Sequence, residues 1–596
     1  MQTLPLSHLS MDELVQTKLY PQLDYFFDKL SQEMDGLRID GVEALHSKDK
    51  FLPGKVALGL GHVLLNTPAD DPRLDAYLAR YRDVAELTAP LENQSWGIYY
   101  YLLMLVRLQQ AGLLERAIRP ETLDLLRERL DWRSFVDFAD LRLINLPTNY
   151  YGVAFSVARL RDMLGWEHED FASRLLDKML EHYERYSGEF GFSDETEGEG
   201  RFDRYSVLLI AEVCQRYVQT GMTVPERLHA LLRRSVDLVL GMANADGHGF
   251  GFGRSIGPYG DSAVVEILSV AAYLKVLNET EQVQAYAYSV CCLAKYLSFW
   301  FNPAIQSVDM WGGGRRTDGY RAKHRILGEN FSLIHQYISS SALWNACGFQ
   351  GRTPQLGLQQ WLHETRPAFA LTWFSRGRYD RALAVRRDAD LVICLPLIDG
   401  GIDQHDNSPY YPIPFAEGVV AGIADSGPAH PQLLPRFELE DGSVLLPTSF
   451  IRGVQHETHE DRAALSYRLD ELNRVGKRKP EPDDRIQVHT RYEFEAGRIT
   501  RIDTIRSTEP LRLRELSLEF LSFSSDVRLS DNAVEFGEGR VTRFEVEGLG
   551  LQHALPTTPD DDFKSPSGPM RSWLRYRLVD HFLDAPLTLR WTLHYR

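Results

Sequence analysis

The chain has 596 residues, of which 44% are hydrophobic and 25% charged, and its formal net charge is -17. That length exceeds one compact domain, and the mix is globular, which excludes a disordered, collagen-like or coiled-coil chain. The acid excess excludes a non-specific nucleic-acid binder but leaves room for an anionic small ligand held by a few local arginines.

Met1 to Tyr20 lacks the basic stretch and the apolar run of about 7–15 residues that mark a secretory signal. No apolar run approaches the roughly 18 residues needed to cross a bilayer. The five cysteines, Cys214, Cys291, Cys292, Cys347 and Cys394, form no Cys-x-x-Cys pair, so neither a zinc site nor a redox motif is indicated. Their odd count fits a reducing compartment. These features predict a cytoplasmic protein without membrane contact; the oligomeric state, homo-oligomer included, stays open.

From Met1 to about Thr365 the apolar period is helical. Val153, Val157, Leu160 and Leu164 share one face, with Gly165 as the stop. Val207, Ile210, Ala211, Cys214, Tyr217 and Val218 form a second stripe, closed by Gly221, and Val264, Ile267, Leu268 and Ala271 a third. Further amphipathic segments lie around 99–116, 223–242 and 282–300. On the order of a dozen helices of ordinary length, without strands between them, predict a helical toroid or solenoid.

Three loops of this half carry chemistry. Asn145-Leu-Pro-Thr148-Asn149-Tyr150-Tyr151 immediately precedes a helix, where backbone N–H groups favour anions; Thr148 or Asn149 could equally be a plain cap. Between Asp194 and Asp203, five carboxylates (with Glu195, Glu197 and Glu199) fall within ten residues. Glycosidases need two facing carboxyl groups, one protonated and one ionised. The plainer alternative is a solvated acidic loop with Asp203 as helix N-cap, although Arg201, Arg204 and Tyr205 flank Asp203. From Asp246 to Asp261, six glycines in sixteen residues surround His248, Arg254, Ser255 and Tyr259. Arg254 suits a carboxylate, while Asp261 could merely cap a helix beginning near Ser262. Trp311-Gly-Gly-Gly-Arg315-Arg316 is a basic, glycine-rich loop.

After about Pro367 the period becomes two. His405-Asp406-Asn407-Ser408-Pro-Tyr410-Tyr411 is placed to reach over the mouth of the helical half. Residues 471–485 are charged and proline-rich and read as an exposed loop. Val488, Tyr492 and Phe494 lead into Ala496-Gly497 and back through Ile502 and Thr504, a hairpin. Leu511, Leu513, Leu516, Leu518 and Phe520 alternate with one slip, a bulge signal. Leu587, Leu589, Trp591, Leu593 and Tyr595 alternate to the end of the chain. The expected architecture is α+β: an N-terminal (α/α) toroid over 1–365 carrying the active site, then an antiparallel β-sandwich over 366–596. No zincin, α/β-hydrolase or P-loop motif occurs.

Thr148-Asn149-Tyr150, Phe202-Asp203-Arg204-Tyr205, Gly253-Arg254-Ser255 and Tyr337 followed by Ser341-Ala-Leu-Trp344 stand in a shared order. In these motifs the chain resembles domain-of-unknown-function family 2264, which overlaps glycoside hydrolase family 154. It departs from the family pattern where Arg204 replaces a usual tyrosine and where Ile256 to Gly260 replace a short link to Tyr-Arg. The resemblance implies a β-glucuronidase-type hydrolase on an (α/α) toroid, an architecture also similar to heparinase-like polysaccharide lyases.

Two mechanisms follow for an acidic oligosaccharide substrate, neither calling for a cofactor or a metal. In hydrolysis, which releases a uronic acid and is the leading expectation, Asp203 and one of Asp261, Glu195 or Glu197 are acid and base. Arg254, Asn149 and Tyr259 then hold the uronate. In β-elimination, Asn149 or Arg254 neutralises the uronate, and Tyr205, Tyr259 or a histidine moves the proton. Tyr150, Arg204, Ser255, His248, Trp311, Arg316 and His405 complete the expected binding set.

Overall fold

The computed structural model describes residues 5–596 except 147–149, 168, 195–197, 199, 315–321, 399–409, 423–430, 477–479, 531–532 and 559–562. Among the described residues, twelve helices run ten residues or longer. They are α1 Tyr20–Glu33, α2 Leu52–Asn66, α3 Leu74–Thr88, α4 Ser95–Gln110, α5 Pro120–Arg129 and α6 Tyr150–Met163. There follow α7 Phe171–Ser187, α8 Arg204–Gln219, α9 Glu226–Met242, α10 Pro258–Tyr273, α11 Glu279–Lys295 and α12 Ile326–Trp344.

The even-numbered helices form a closed ring. Each packs on the next, α2 on α4 and so on to α12, and α12 returns to α2. Burial shows the contrast most plainly at α10 and α7. Helix α10 is buried from Pro258 to Ala272, as expected of a helix covered on all sides. Helix α7 buries one stripe (Phe171, Leu175, Met179, Tyr183), as a helix on the outside should. Close approach is built in by glycine: a Cβ on Gly54 of α2 would lie 1.8 Å from the carbonyl oxygen of Gly97 in α4. Gly165 and Gly221 stop α6 and α8 with φ of 73° and 69°.

The expectation of a strand-free helical half needs correcting, since Arg38–Ile39 pairs with Val42–Glu43 and Phe301–Asn302 with Ser307–Val308. Both are two-residue ribbons at turns, too short to carry a period. Helix α10 begins at Pro258, after Gly257 as N-cap, and not near Ser262; proline suits the first helical position.

The last helix ends at Thr365 and the first long strand starts at Phe369. Among the described residues, strands of the second half build antiparallel sheets of eight, seven and three strands and a two-residue ribbon, Lys564–Ser565 with Gly568–Pro569. The hairpin at Ala496-Gly497 joins Ile486–Glu495 to Arg498–Ser507, with Gly497 at φ 66°. The slip in Leu511–Ser522 is a register shift between Leu513 and Glu515. Segment 471–485 differs from the loop expected: Leu472–Arg474 pairs with Glu481–Asp483. Arg474 and Arg485 clamp the buried Asp483 at 2.6 and 2.7 Å, and Pro482 is tolerated because its strand is a sheet edge. Rings from the two large sheets meet, Phe520 stacking on Phe544 with centroids 4.5 Å apart.

The halves are joined through the loops of the ring. Phe202 stacks on Phe374 at 5.4 Å, and Arg387 donates to the carbonyls of Gly241 and Ala243 at 2.9 Å. Tyr410, from the segment expected to reach over the ring, donates to Asp203 at 2.6 Å. Among the described residues no helix is long and apolar enough to cross a membrane. All five cysteines are free.

Candidate active site

All six ring helices contribute to one cavity of about 560 Å³. Lys55 comes from α2, Trp96, Tyr99 and Tyr100 from α4, and Tyr150 from the start of α6. Helix α8 presents Arg204, Tyr205, Leu208, Glu212, Gln215, Arg216 and Gln219. Helix α10 adds Tyr259 and Glu266, and α12 adds Ser332, His335 and Gln336. Arg254, Lys48, Lys50, His324 and Arg325 come from connecting segments. The cavity is therefore the lumen of the ring. Seven lysines and arginines line it against two glutamates, inside a chain of net charge -17.

The α8 end of the lumen is built by the loop residues. Asp203 is the N-cap of α8, its carboxylate accepting from the Tyr205 N–H at 2.8 Å while the Ser206 hydroxyl accepts from the Asp203 N–H. The same carboxylate lies 3.4 Å from Arg254 Nε. Tyr205 is thus fixed at the start of the helix, with the guanidiniums of Arg204 and Arg254 centred 4.2 and 4.4 Å from its ring. Its hydroxyl donates to Ser255 Oγ at 3.5 Å, and Ser255 is itself fully buried. Arg204 donates to the carbonyl of Tyr259 at 3.1 Å. The Tyr259 hydroxyl donates to Glu329, which pairs with Lys55 and Arg325, both at 3.4 Å.

The aromatic wall is continuous. Tyr150 meets Trp96 edge-on at 6.2 Å, and Arg216 sits 4.0 Å over Tyr99 and 5.0 Å from Trp96. Such faces suit the apolar side of a sugar ring. The His335 ring meets Tyr100 edge-on at 5.9 Å, and His335 Nδ1 lies 2.9 Å from His62 Nε2. Burial pushes His62 down to about 3 and His335 well below the ordinary imidazole range, so both are neutral. Glu212 and Glu266 face each other's charge from α8 and α10. Burial, then the charge of Glu212, pushes Glu266 up to about 8. Burial raises Glu212 as well, against Arg216, Arg204 and Arg254, which lower it.

Of the residues expected from sequence, the cavity gathers Tyr150, Arg204, Tyr205, Arg254 and Tyr259. Asp203, 1% exposed, stands behind Tyr205 and Arg254 and off the cavity wall. Asp261 is held elsewhere: it accepts from Gly249 N–H at 2.8 Å, Trp300 Nε1 at 2.9 Å and Lys295 at 3.0 Å. It lines a second cavity of about 90 Å³ with His248, whose Nδ1 is 2.6 Å from Lys295. Trp311 lies in a turn away from the lumen and packs against the core. Asn149, Glu195, Glu197, Arg316 and His405 lie outside the described residues. Sequence reasoning missed Glu212, Arg216, Glu266 and His335. One signal was available: on α8, positions 205, 208, 212, 215, 216 and 219 form a largely polar stripe beside the apolar one, which a helix with two buried faces requires.

No protein-family model matches the sequence. No curated protein matches it either. Among solved structures, the chain is similar to the chondroitin AC lyase of Streptomyces coelicolor A3, solved with chondroitin sulphate. The TM-score is 0.52 at 10% identity, over 98% of this chain and 82% of that one. Heparinase III matches with a TM-score of 0.49 at 10% identity, over all of this chain and 86% of that one. At this identity the likeness to the chondroitin lyase is one of fold: a helical first part followed by antiparallel sheets.

Proposed function

We propose that the chain is a carbohydrate-active enzyme that takes a uronic-acid-containing glycan into the ring lumen and cleaves it by β-elimination. The scaffold is an (α/α) toroid, residues 1–365, backed by a β-sandwich, residues 366–596. The observation that carries this is the lumen itself, cation-rich and aromatic-walled in an acidic chain, with Tyr205 set between two guanidiniums. A low-dielectric, positively lined pocket concentrates an anionic ligand. The likeness of fold to a chondroitin AC lyase supports the same reading.

In this scheme Arg254 and Arg204 compensate the uronate carboxylate and the charge that develops when the C5–H bond breaks. The electron pair of that bond becomes the C4=C5 double bond, and the C4–O bond breaks. Tyr205, as the phenolate that the two flanking guanidiniums favour, takes the C5 proton and returns it to the leaving oxygen, so no water is consumed. Neutral His335, paired with His62, lines the lumen as well. Hydrolysis, the leading expectation from sequence, keeps one specific support, the Glu212–Glu266 pair. Asp203 and Asp261 are hydrogen-bonded off the lumen wall, so among the described residues the carboxyl pair that faces the lumen is Glu212 and Glu266.

The test is incubation with uronate-containing and neutral oligosaccharides while ultraviolet absorbance is followed. Elimination yields a conjugated, absorbing product from the uronate glycans only. Consumption of glycan with no rise in absorbance would overturn the reading.

A further inference from the structure

The lumen holds a carboxyl that the elimination scheme does not use. Glu266 projects from the middle of α10, between Val265 and Ile267, and is 7% exposed. It lines the cavity, and its Oε1 has no hydrogen-bond partner among the described residues. Leaving a buried polar atom without a partner is costly, so its retention at a cavity wall points to a ligand that satisfies it.

We propose that Glu266 is a specificity-determining residue whose carboxyl donates a hydrogen bond to a hydroxyl of the bound glycan. The inference rests on the reading of the lumen as a glycan site and names how that site recognises an uncharged part of the sugar.

The surroundings decide the sign of the contact. The groups whose charges couple to Glu266 are Arg204, Glu212 and Arg216 on α8, Tyr99 and Tyr100 on α4, and Tyr337 on α12. Three guanidiniums, those of Arg216, Arg204 and Arg254, favour charge on Glu212, whereas Glu212 itself disfavours charge on Glu266. Burial and then the charge of Glu212 push Glu266 up to about 8, which keeps its carboxyl protonated at neutral pH. A neutral carboxyl carries an O–H donor; an ionised one only accepts and would repel an acidic glycan. Sites that hydrogen-bond a substrate hydroxyl reject analogues lacking it far more strongly than apolar pockets reject a missing methylene.

The experiment combines infrared difference spectroscopy with calorimetric binding of a short uronate oligosaccharide, in the parent protein and in Glu266→Gln. At neutral pH the parent shows a protonated carboxylic-acid band that Glu266→Gln lacks, and the oligosaccharide moves that band. Parent affinity falls about tenfold for each pH unit above about 8, as one proton is lost. Glu266→Gln, which keeps an N–H donor at any pH, binds without that fall. Glu212→Gln moves the titration of the band, and with it the loss of affinity, to lower pH, because the repelling charge is gone. The proposal is overturned if the band is absent from the parent, survives in Glu266→Gln, or stays unmoved when the oligosaccharide binds. An oligosaccharide that does not bind at all contradicts the glycan reading and this inference together, whereas binding with an unmoved band contradicts this inference alone.

Discussion

Tyr205 and Asp203 are two residues apart and have opposite roles. Tyr205 opens into the lumen; Asp203 caps α8 and anchors Arg254 and Tyr410 behind it. Replacing Tyr205 by Phe keeps the ring between its two guanidiniums and removes only the hydroxyl. The expected result is a kcat lower by roughly 10² to 10⁴, the usual worth of a positioned proton-transfer group, with glycan affinity within a few-fold of the parent. Unchanged kcat would exclude Tyr205 from the chemistry. Asp203→Ala is expected to act on stability first: loss of an N-cap alone costs about 1 kcal/mol, read as a lower denaturation midpoint. The buried histidines give a pH prediction whose sign is fixed. His62 titrates at about 3 when folded against 6.5 unperturbed, so between those values the unfolded chain binds a proton that the folded one refuses. Stability therefore falls as pH drops below about 6.5, by up to about 1.4 kcal/mol per pH unit for His62, with His335 adding in the same direction. Denaturation at pH 4–7 checks this, with the slope reduced in His62→Gln. At this scale the sequence was legible where residues sit in loops with unusual composition, which is why Arg204, Tyr205, Arg254 and Tyr259 stood out. Glu266 and His335 did not, because a single polar residue inside an apolar helix looks the same whether it faces a core or a lumen.

Helices set the geometry that individual residues use. Helix α8 has to satisfy two environments at once, an apolar stripe of Val207, Ile210, Ala211 and Cys214 toward its neighbours and a polar stripe toward the lumen. The apolar stripe was readable as helix periodicity. The polar one was hidden because an outside helix also has a polar face, and only ring closure distinguishes lumen from solvent. Closure depends on close contact between helices. Gly54→Ala would drive a methyl into the backbone of α4, where no side chain can move away. The expected cost is at least about 1–3 kcal/mol, the usual penalty for overpacking, seen as a lower midpoint in chemical denaturation and, through the misplaced α4 wall, weaker glycan binding. A midpoint equal to the parent would contradict the packing of α2 on α4. The 471–485 segment shows the converse limit: its charges and prolines read as solvated, yet Arg474, Asp483 and Arg485 neutralise one another in an edge hairpin.

The whole molecule carries its excess of negative charge outside a positively lined lumen. An acidic glycan taken into the lumen as proposed would be held by charges that salt screens over a Debye length of about 10 Å at 0.1 M. KM for a uronate oligosaccharide is therefore expected to rise several-fold between low salt and 0.5 M salt, while binding of a neutral oligosaccharide changes little. Salt-independent KM would place the substrate outside the lumen. The switch from helical period to strand period near Pro367 made the order of the two parts legible. Their mutual arrangement was not, because Tyr410 on Asp203 and Phe374 on Phe202 join residues far apart in sequence and carry no local signal. The central claim is that glycan cleavage in the lumen consumes no water. The most direct measurement is digestion of a uronate oligosaccharide, followed by mass spectrometry of both fragments. β-Elimination predicts fragments that sum to the mass of the substrate. Fragments that sum to the substrate plus one water would contradict the account and assign the chemistry to hydrolysis.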